Sequence, residues 1–180
     1  NIDDKDAEKT RDNYHTVLIA KNHEGFLELN KLVSNSVNRK DGHFYYVPRM
    51  TFDDILNTSE NIIIATACLG GILNKGHEGI KKRFLKFIIE NKDRCFLEIQ
   101  HHNEPNQKRY NVVLSKLAEK YGLNLITGTD KHALNETHEK GRTILQKAKN
   151  IHFGEEDLWD IVWKTKDELI DAYKVQGALD

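Results

Sequence analysis

An α/β fold with a parallel sheet and crossover helices is predicted by three observations. Short apolar runs alternate four times with segments whose apolar residues recur every three or four positions, the periods of strand and helix. Asn61–Thr66 carries three consecutive isoleucines, the pattern of a strand covered on both faces. Loops built from glycine and polar residues follow the strands, as in βαβ units. This order of elements fits a closed barrel or an open doubly wound sheet, and periodicity does not separate the two.

His15 to Ala20 reads as a short buried strand, and Phe26, Leu29, Val33 and Val37 follow on a helix. Lys40-Asp41-Gly42 is turn-prone. Phe44-Tyr45-Tyr46-Val47 is extended, because Pro48 disfavours the helical region for its predecessor. Thr51 reads as a helix cap. The strand Asn61–Thr66 then ends in Ala67-Cys68-Leu69-Gly70-Gly71, a tight glycine loop. Ile80, Phe84, Phe87 and Ile88 form the next helical stripe, followed by a strand at Cys95–Ile99. Tyr110, Val113, Leu114, Leu117 and Tyr121 lie on another helix, and Leu123–Thr127 is a further strand. Gly128–Asn135 is a loop, and a helix over Glu136–Lys149 turns Ile144, Leu145 and Ala148 inward. From about Ile151 the pattern changes, so 1–150 is expected to form the main domain and 151–180 an exit segment. Thr165-Lys-Asp-Glu168 is a capping box that opens its helix over Leu169, Ile170 and Tyr173.

The chain has 180 residues with 27 Lys+Arg against 28 Asp+Glu, which suits one domain and removes a strongly basic surface as a sign of nucleic-acid binding. The longest apolar run, Ile62–Leu73, is interrupted by Thr66 and two glycines and falls short of the ~20 residues a membrane helix needs. No membrane partner is expected. Two cysteines build no disulfide scaffold, which points to a reducing, cytoplasmic setting. The polar, acidic start Asn1-Ile-Asp-Asp-Lys-Asp6 is no signal peptide and lacks an initiator Met, so the chain is expected to begin inside a longer protein.

In parallel α/β folds, groups that bind or react gather in the loops after the carboxyl ends of the strands. Three such loops carry metal-ligand residue types: Cys68 after the second strand, His101 and His102 beside Glu98 after the third, and Asp130 and His132 after the fourth. Residues two apart in an extended loop point to one side, so Asp130 and His132 can offer an oxygen and a nitrogen to one cation while Lys131 faces away. Each feature has a plainer explanation. A lone cysteine is most often a small buried hydrophobe, which suits Cys95. His101-His102 equally suits a solvated loop, Gly70-Gly71 a turn, and Lys81-Lys82-Arg83 with Lys86 a solvated helix face.

Several segments together carry a resemblance. His15-Thr-Val-Leu-Ile-Ala-Lys-Asn22, Glu24-Gly25-Phe26 and Leu29-Asn-Lys-Leu-Val-Ser34 resemble the polymerase and histidinol phosphatase (PHP) domain of bacterial or phage DNA polymerase III alpha subunits. Tyr46-Val47-Pro48-Arg49 is similar to that family's Pro-Arg segment, Ala67-Cys68-Leu69-Gly70-Gly71 to its cysteine-glycine loop, and Phe96-Leu97-Glu98-Ile99-Gln100 to its Leu-Glu strand. Thr127-Gly128-Thr129-Asp130-Lys131-His132 resembles its Asn-Asp-x-His loop, with Gly128 where Asn or Ala is usual, and Trp163–Leu169 its passage towards the polymerase palm. The matching stretches run in order from His15 to about Tyr173.

The resemblance implies a partial, distorted β/α barrel of PHP type whose mouth holds zinc or manganese. Carried over by position, its metal ligands here are His15, Cys68, Asp130 and His132, with Glu98, His101 and His102 nearby. The family's other ligand positions would precede Asn1, which implies a piece of a longer protein with an incomplete site. The implied chemistry is metal-dependent phosphoester hydrolysis, in some relatives a 3′–5′ exonuclease; nucleotidyl transfer, with its magnesium, would belong to the parent polymerase. Implied partners are DNA through that parent and other replisome subunits. An open barrel edge would favour self-association of the fragment. Alternatives are a free-standing phosphatase acting on a small phosphate monoester and a non-catalytic scaffold module.

Overall fold

The computed structural model describes residues 13–40, 43–44, 47–151 and 159–179. The acidic start, the turn at Asp41-Gly42, Tyr45-Tyr46 of the extended segment, and Glu155–Leu158 of the exit segment lie outside the described residues. Contacts divide the chain into two compact units, Asn1–Thr66 with Gly70–Phe96, and Ala67–Leu69 with Leu97–Asp180.

The first unit runs β1 (Val17–Ala20), α1 (His23–Ser36), α2 (Phe52–Leu56), β2 (Ile62–Ala65), α3 (Ile72–Lys75) and α4 (Glu78–Glu90), and it ends with the first residues of β3 (Cys95–Gln100). β2 is the covered strand that its isoleucines predict, with Ile62 and Ile64 fully buried. It pairs in parallel with β3, Ile64 opposite Cys95. β1, by contrast, runs antiparallel to β2, Val17 opposite Ala65 and Ala20 opposite Ile62. This corrects the expectation of parallel strands throughout. Two helices, α1 and α2, separate β1 from β2, so the link is not the single crossover that parallel pairing uses, and an antiparallel edge strand on a mostly parallel sheet is a common arrangement.

β1 is also less buried than expected: Val17 is 39% and Ile19 44% exposed. It stands at the end of the strand order β1-β2-β3-β4, with one neighbour among the described strands. α1 forms where its apolar spacing places it, capped by the Asn22 side chain, which accepts the Gly25 N–H at 2.9 Å. Its apolar stripe, however, leaves Phe26, Val33 and Val37 exposed. Thr51 caps α2 in a full capping box with Asp54. The stripe Ile80, Phe84 and Ile88 of α4 is buried, with Phe52 meeting Phe84 edge-on at 6.1 Å. Cys95 is fully buried and burial pushes its thiol up to about 11, the behaviour of a small hydrophobe.

The second unit holds the rest of β3, then α5 (Pro105–Tyr121), β4 (Asn124–Gly128), α6 (Glu136–Ala148) and α7 (Lys166–Val175). α5 starts with Pro105 in its first turn and the Glu104 carboxylate accepting the N–H groups of Asn106 and Gln107. It stops at Gly122, whose φ of 62° is the left-handed conformation that favours glycine. Leu97, Ile99, Leu114, Leu123, Ile161 and Tyr173 form the core of this unit. α6 contradicts its expected orientation: Ile144 is 66% and Leu145 62% exposed, and no residue of the helix is buried. Periodicity identifies the apolar face of a helix and not whether anything covers it.

The capping box at Thr165 and Glu168 opens α7 as predicted. The α7 region is tied to β3 and the loop after it: the Tyr173 hydroxyl donates to Ile99 O at 3.0 Å, and Gln176 Nε2 donates to His101 O at 2.9 Å and His102 O at 3.0 Å. Among the described residues no helix is long and apolar enough to cross a membrane.

Candidate functional site

His15 belongs to the first unit and Cys68, Glu98, His101, His102, Asp130 and His132 to the second. Within its own unit, His15 donates its N–H to Gly70 O at 2.9 Å and pairs as a bridge with Gly71. A β-carbon on Gly70 would stand 2.9 Å from His15 Nδ1, so this glycine makes room for the imidazole rather than merely allowing a turn.

In the second unit the Asp-x-His loop leaves β4 at Gly128. Asp130 adopts a positive φ of 40°, a conformation that aspartate tolerates better than most residues. His132 Nδ1 meets Asp130 O at 2.7 Å, which fixes the ring and turns Nε2 outward as the nitrogen available to a metal. The positive φ of Asp130 means that the loop is not the extended segment on which the alternation relies; the Lys131 ammonium donates to Lys164 O at 3.1 Å, lies 4.9 Å from the centre of the Trp163 ring, and its charge acts on His101. Ala67, just before Cys68, also has a positive φ, 59°, so one candidate ligand, Asp130, lies at left-handed backbone and another, Cys68, directly follows it.

Glu98 points from β3 towards the same loop. Its carboxylate accepts from Gln100 Nε2 at 3.0 Å and lies directly over Gly128, where a β-carbon would come within 2.5 Å of the Glu98 carboxyl carbon. Burial and then the charge of Asp130 push the Glu98 carboxyl up, against the Gln100 hydrogen bond that lowers it. Tyr110 of α5 is buried at 7% exposure, and its hydroxyl has no hydrogen-bond partner among the described residues. Burial raises the phenol, and the charges of Cys68 and Glu98 raise it further.

His101 and His102 are not a solvated loop. They are 1% and 2% exposed, their ring centres are 5.1 Å apart, and His102 stacks on Trp159 at 5.4 Å. Among the described residues no ring nitrogen of His101 has a hydrogen-bond partner, and for His102 the nearest is the Asp160 backbone. His101 Nε2 stands 3.9 Å from the Asp160 carboxylate, which in turn holds Lys164 at 2.7 Å. Burial and the neighbouring His102 lower His101 to about 4, with Asp160 opposing. Burial also lowers His102, opposed by the charge of Asp130 and by the nearby Asp160 backbone. Buried polar groups without partners are rare and mark places where water, an ion or a ligand completes the structure.

Sequence reasoning missed Asp160 and Tyr110. Asp160 lies some thirty residues beyond the Asp-x-His loop and follows no spacing rule, whereas Tyr110 reads simply as part of an apolar helix stripe. Glu98, His102, Asp130 and His132 are close enough for their charges to act on one another. Even so, among the described residues no three His, Cys, Asp or Glu side chains gather as a group that could hold a metal ion. The donor chemistry and the orphaned ring nitrogens fit a metal; the arrangement supplies pairs of ligands rather than a closed cage.

Comparison with known proteins gives a consistent result. The sequence pattern of the PHP domain family matches residues 2–102. DNA polymerase III subunit alpha of Aquifex aeolicus (strain VF5) is 36% identical over 152 residues, covering 78% of this chain and 12% of that protein. The alpha subunit of Borreliella burgdorferi is 34% identical over 137 residues, covering 73% of this chain and 12% of the relative. That of Thermus aquaticus is 30% identical over 137 residues, covering 73% and 11%. The chain therefore spans about 12% of the length of the curated relatives it matches.

Proposed function

We propose, from the premise that this chain belongs to the PHP domain family, that it is part of a replicative DNA polymerase III alpha subunit and serves metal-dependent phosphoester hydrolysis there. The observation that carries this reading is the Asp130–His132 loop. It keeps the family's Asp-x-His spacing and holds the His132 ring by Nδ1 so that Nε2 is left for a cation. Cys68, Asp130 and His132 would hold zinc or manganese. A bound ion would polarise the phosphoester and acidify a water.

The chain's own groups do the remaining work. Asp130 supplies negative charge, Glu98 stands beside it, and the buried walls of the unit keep bulk water from Tyr110 and His102. A 3′–5′ exonuclease role and contacts with DNA and other replisome subunits, in a cytoplasmic setting, follow for the parent protein. Its nucleotidyl transfer, with magnesium, would reside outside residues 1–180. The relatives this chain matches are DNA polymerase III alpha subunits, which argues against a free-standing phosphatase.

A second reading, a non-catalytic scaffold, is favoured by one observation, the lack of three gathered ligand side chains among the described residues. Metal content decides between them. Asp130→Ala and His132→Ala should each lower bound zinc or manganese, measured by elemental analysis of the purified chain, while circular dichroism stays native. Unchanged metal stoichiometry in both variants rejects the hydrolytic reading and leaves the scaffold.

A further inference from the structure

We propose that the cavity between β1, the approach to α2 and the helices α3 and α4 binds a small organic acid, one anionic head group on an apolar body. The inference is independent of the Asp130 loop, because every residue lining this cavity belongs to the first unit. Its volume is about 340 Å³, within the range of small-molecule sites. The walls follow from the alternation of β1: Thr16 and Leu18 line the cavity, whereas Val17 and Ile19 point the other way and are exposed. Leu18, Phe52, Ile55, Ile72 and Ile80 make most of the lining apolar, and the three isoleucines are buried.

Three observations select an acid as the ligand. The first is Arg49. Its backbone N–H donates to Ser36 O at 3.3 Å, which ties the residue to the end of α1, and its side chain lines the cavity with Nε buried. A guanidinium keeps its charge over the whole working range of pH and presents a planar fork that matches a carboxylate.

The second is the absence of Asp and Glu among the described residues that line the cavity. Asp54, which meets the lining residue His43, has its Oδ2 engaged: it accepts from Thr51 N at 2.7 Å and Thr51 Oγ1 at 2.8 Å and lies 3.0 Å from His43 Nε2. The walls therefore carry a formal cation and present no carboxylate to an incoming anion.

The third is Thr16, whose Oγ1 is buried and has no hydrogen-bond partner among the described residues. An oxygen of the ligand would complete it. Guanidinium and hydroxyl together satisfy one acidic head and little more. A nucleotide would press the polar atoms of its base and sugar against aliphatic walls that form no hydrogen bonds, so the walls favour an apolar body.

The test measures binding of naphthoate, of its neutral counterpart naphthamide and of thymidine monophosphate to the full 180-residue chain by equilibrium dialysis, with EDTA present so that no metal contributes. Naphthoate should bind at least about tenfold more tightly than naphthamide, the scale of one hydrogen-bonded charge, and more tightly than thymidine monophosphate. Arg49→Met keeps an apolar stem and should weaken naphthoate at least about tenfold while naphthamide stays within about twofold. Thr16→Val should weaken naphthoate about threefold. Lys82→Met removes a cation from the exposed face of α4 and should change none of the three. Thermal melts establish that each variant is folded; should Arg49→Met not fold, naphthoate against naphthamide in the unsubstituted chain decides. Equal affinity for these two, naphthoate binding unchanged in Arg49→Met, or no binding of naphthoate at millimolar concentration overturns the acid site. Tighter binding of thymidine monophosphate than of naphthoate overturns the apolar body.

Discussion

His101 shows how one side chain carries a pH dependence for the unit around it. An unfolded imidazole takes up a proton near pH 6.5, but in the folded chain burial and His102 hold His101 down to about 4. The folded state therefore binds fewer protons than the unfolded state between these values. Its contribution to stability is complete above about pH 6.5 and lost progressively as pH falls towards 4. The limit is on the order of 3 kcal/mol, with His102 acting in the same direction. Urea unfolding between pH 7.5 and 5, above the range where carboxylates dominate, should show a falling midpoint in the parent chain and a flatter one in His101→Asn. Equal slopes in the two proteins would show that His101 does not titrate this way. Tyr110 makes the opposite point. Its hydroxyl is buried without a partner among the described residues, so Tyr110→Phe in the metal-free chain should leave stability unchanged or raise it by up to about 1 kcal/mol. A loss of 2 kcal/mol or more on thermal denaturation would mean the hydroxyl has a structural partner.

At the scale of the element, the end of α4 and the start of β3 are joined to the approach to β2 by one residue. Arg94 donates to Thr58 Oγ1 and Thr58 O at 3.0 Å each, to Ile62 O at 3.2 Å and to Asn91 Oδ1 at 3.1 Å, and its guanidinium lies 5.1 Å from the Phe87 ring centre. Arg94→Met fills much of the volume but leaves buried carbonyls without donors, and should cost about 2–4 kcal/mol. Lys82→Met on the exposed face of the same helix should change stability by less than about 0.5 kcal/mol. Urea midpoints at unchanged slope would measure both. Nothing in the sequence distinguishes Arg94 from the solvated cations before it, because its role depends on carbonyls more than thirty residues away. The capping boxes at Thr51 and Thr165 are legible for the opposite reason: donor, acceptor and helix start lie within four consecutive residues. α6 falls between these cases. Its span and its apolar face follow from the period, but its exposure depends on what else packs there, which no local pattern contains.

For the molecule as a whole, the same division between local and distant information runs through the site. Spacing is enough to place Asp130 and His132 together in the loop after β4, whereas Asp160, Tyr110 and the use of Gly128 as a seat for Glu98 depend on neighbouring elements that only the fold supplies. The order of strands and helices was likewise legible, but the antiparallel turn of β1 was not, since it depends on how two helices route the chain back. β1 also decides how the chain should behave in solution. Among the described strands it ends the sheet order, the position where backbone groups can pair with another chain, and Val17 and Ile19 leave an apolar face beside it. α1 of the same unit exposes Phe26, Leu27 and Val33. A net charge of −1 gives little long-range repulsion to keep copies apart. The chain should therefore self-associate at micromolar concentration, read by light scattering as an apparent mass that rises with concentration. Ile19→Lys places a charge on the uncovered edge and should shift the distribution towards monomer at least fivefold, whereas Lys82→Glu on the distant solvated face of α4 should not. A parent chain that stays monomeric from 1 to 200 micromolar would show that the edge is already closed, and with it that β1 offers no surface to another strand.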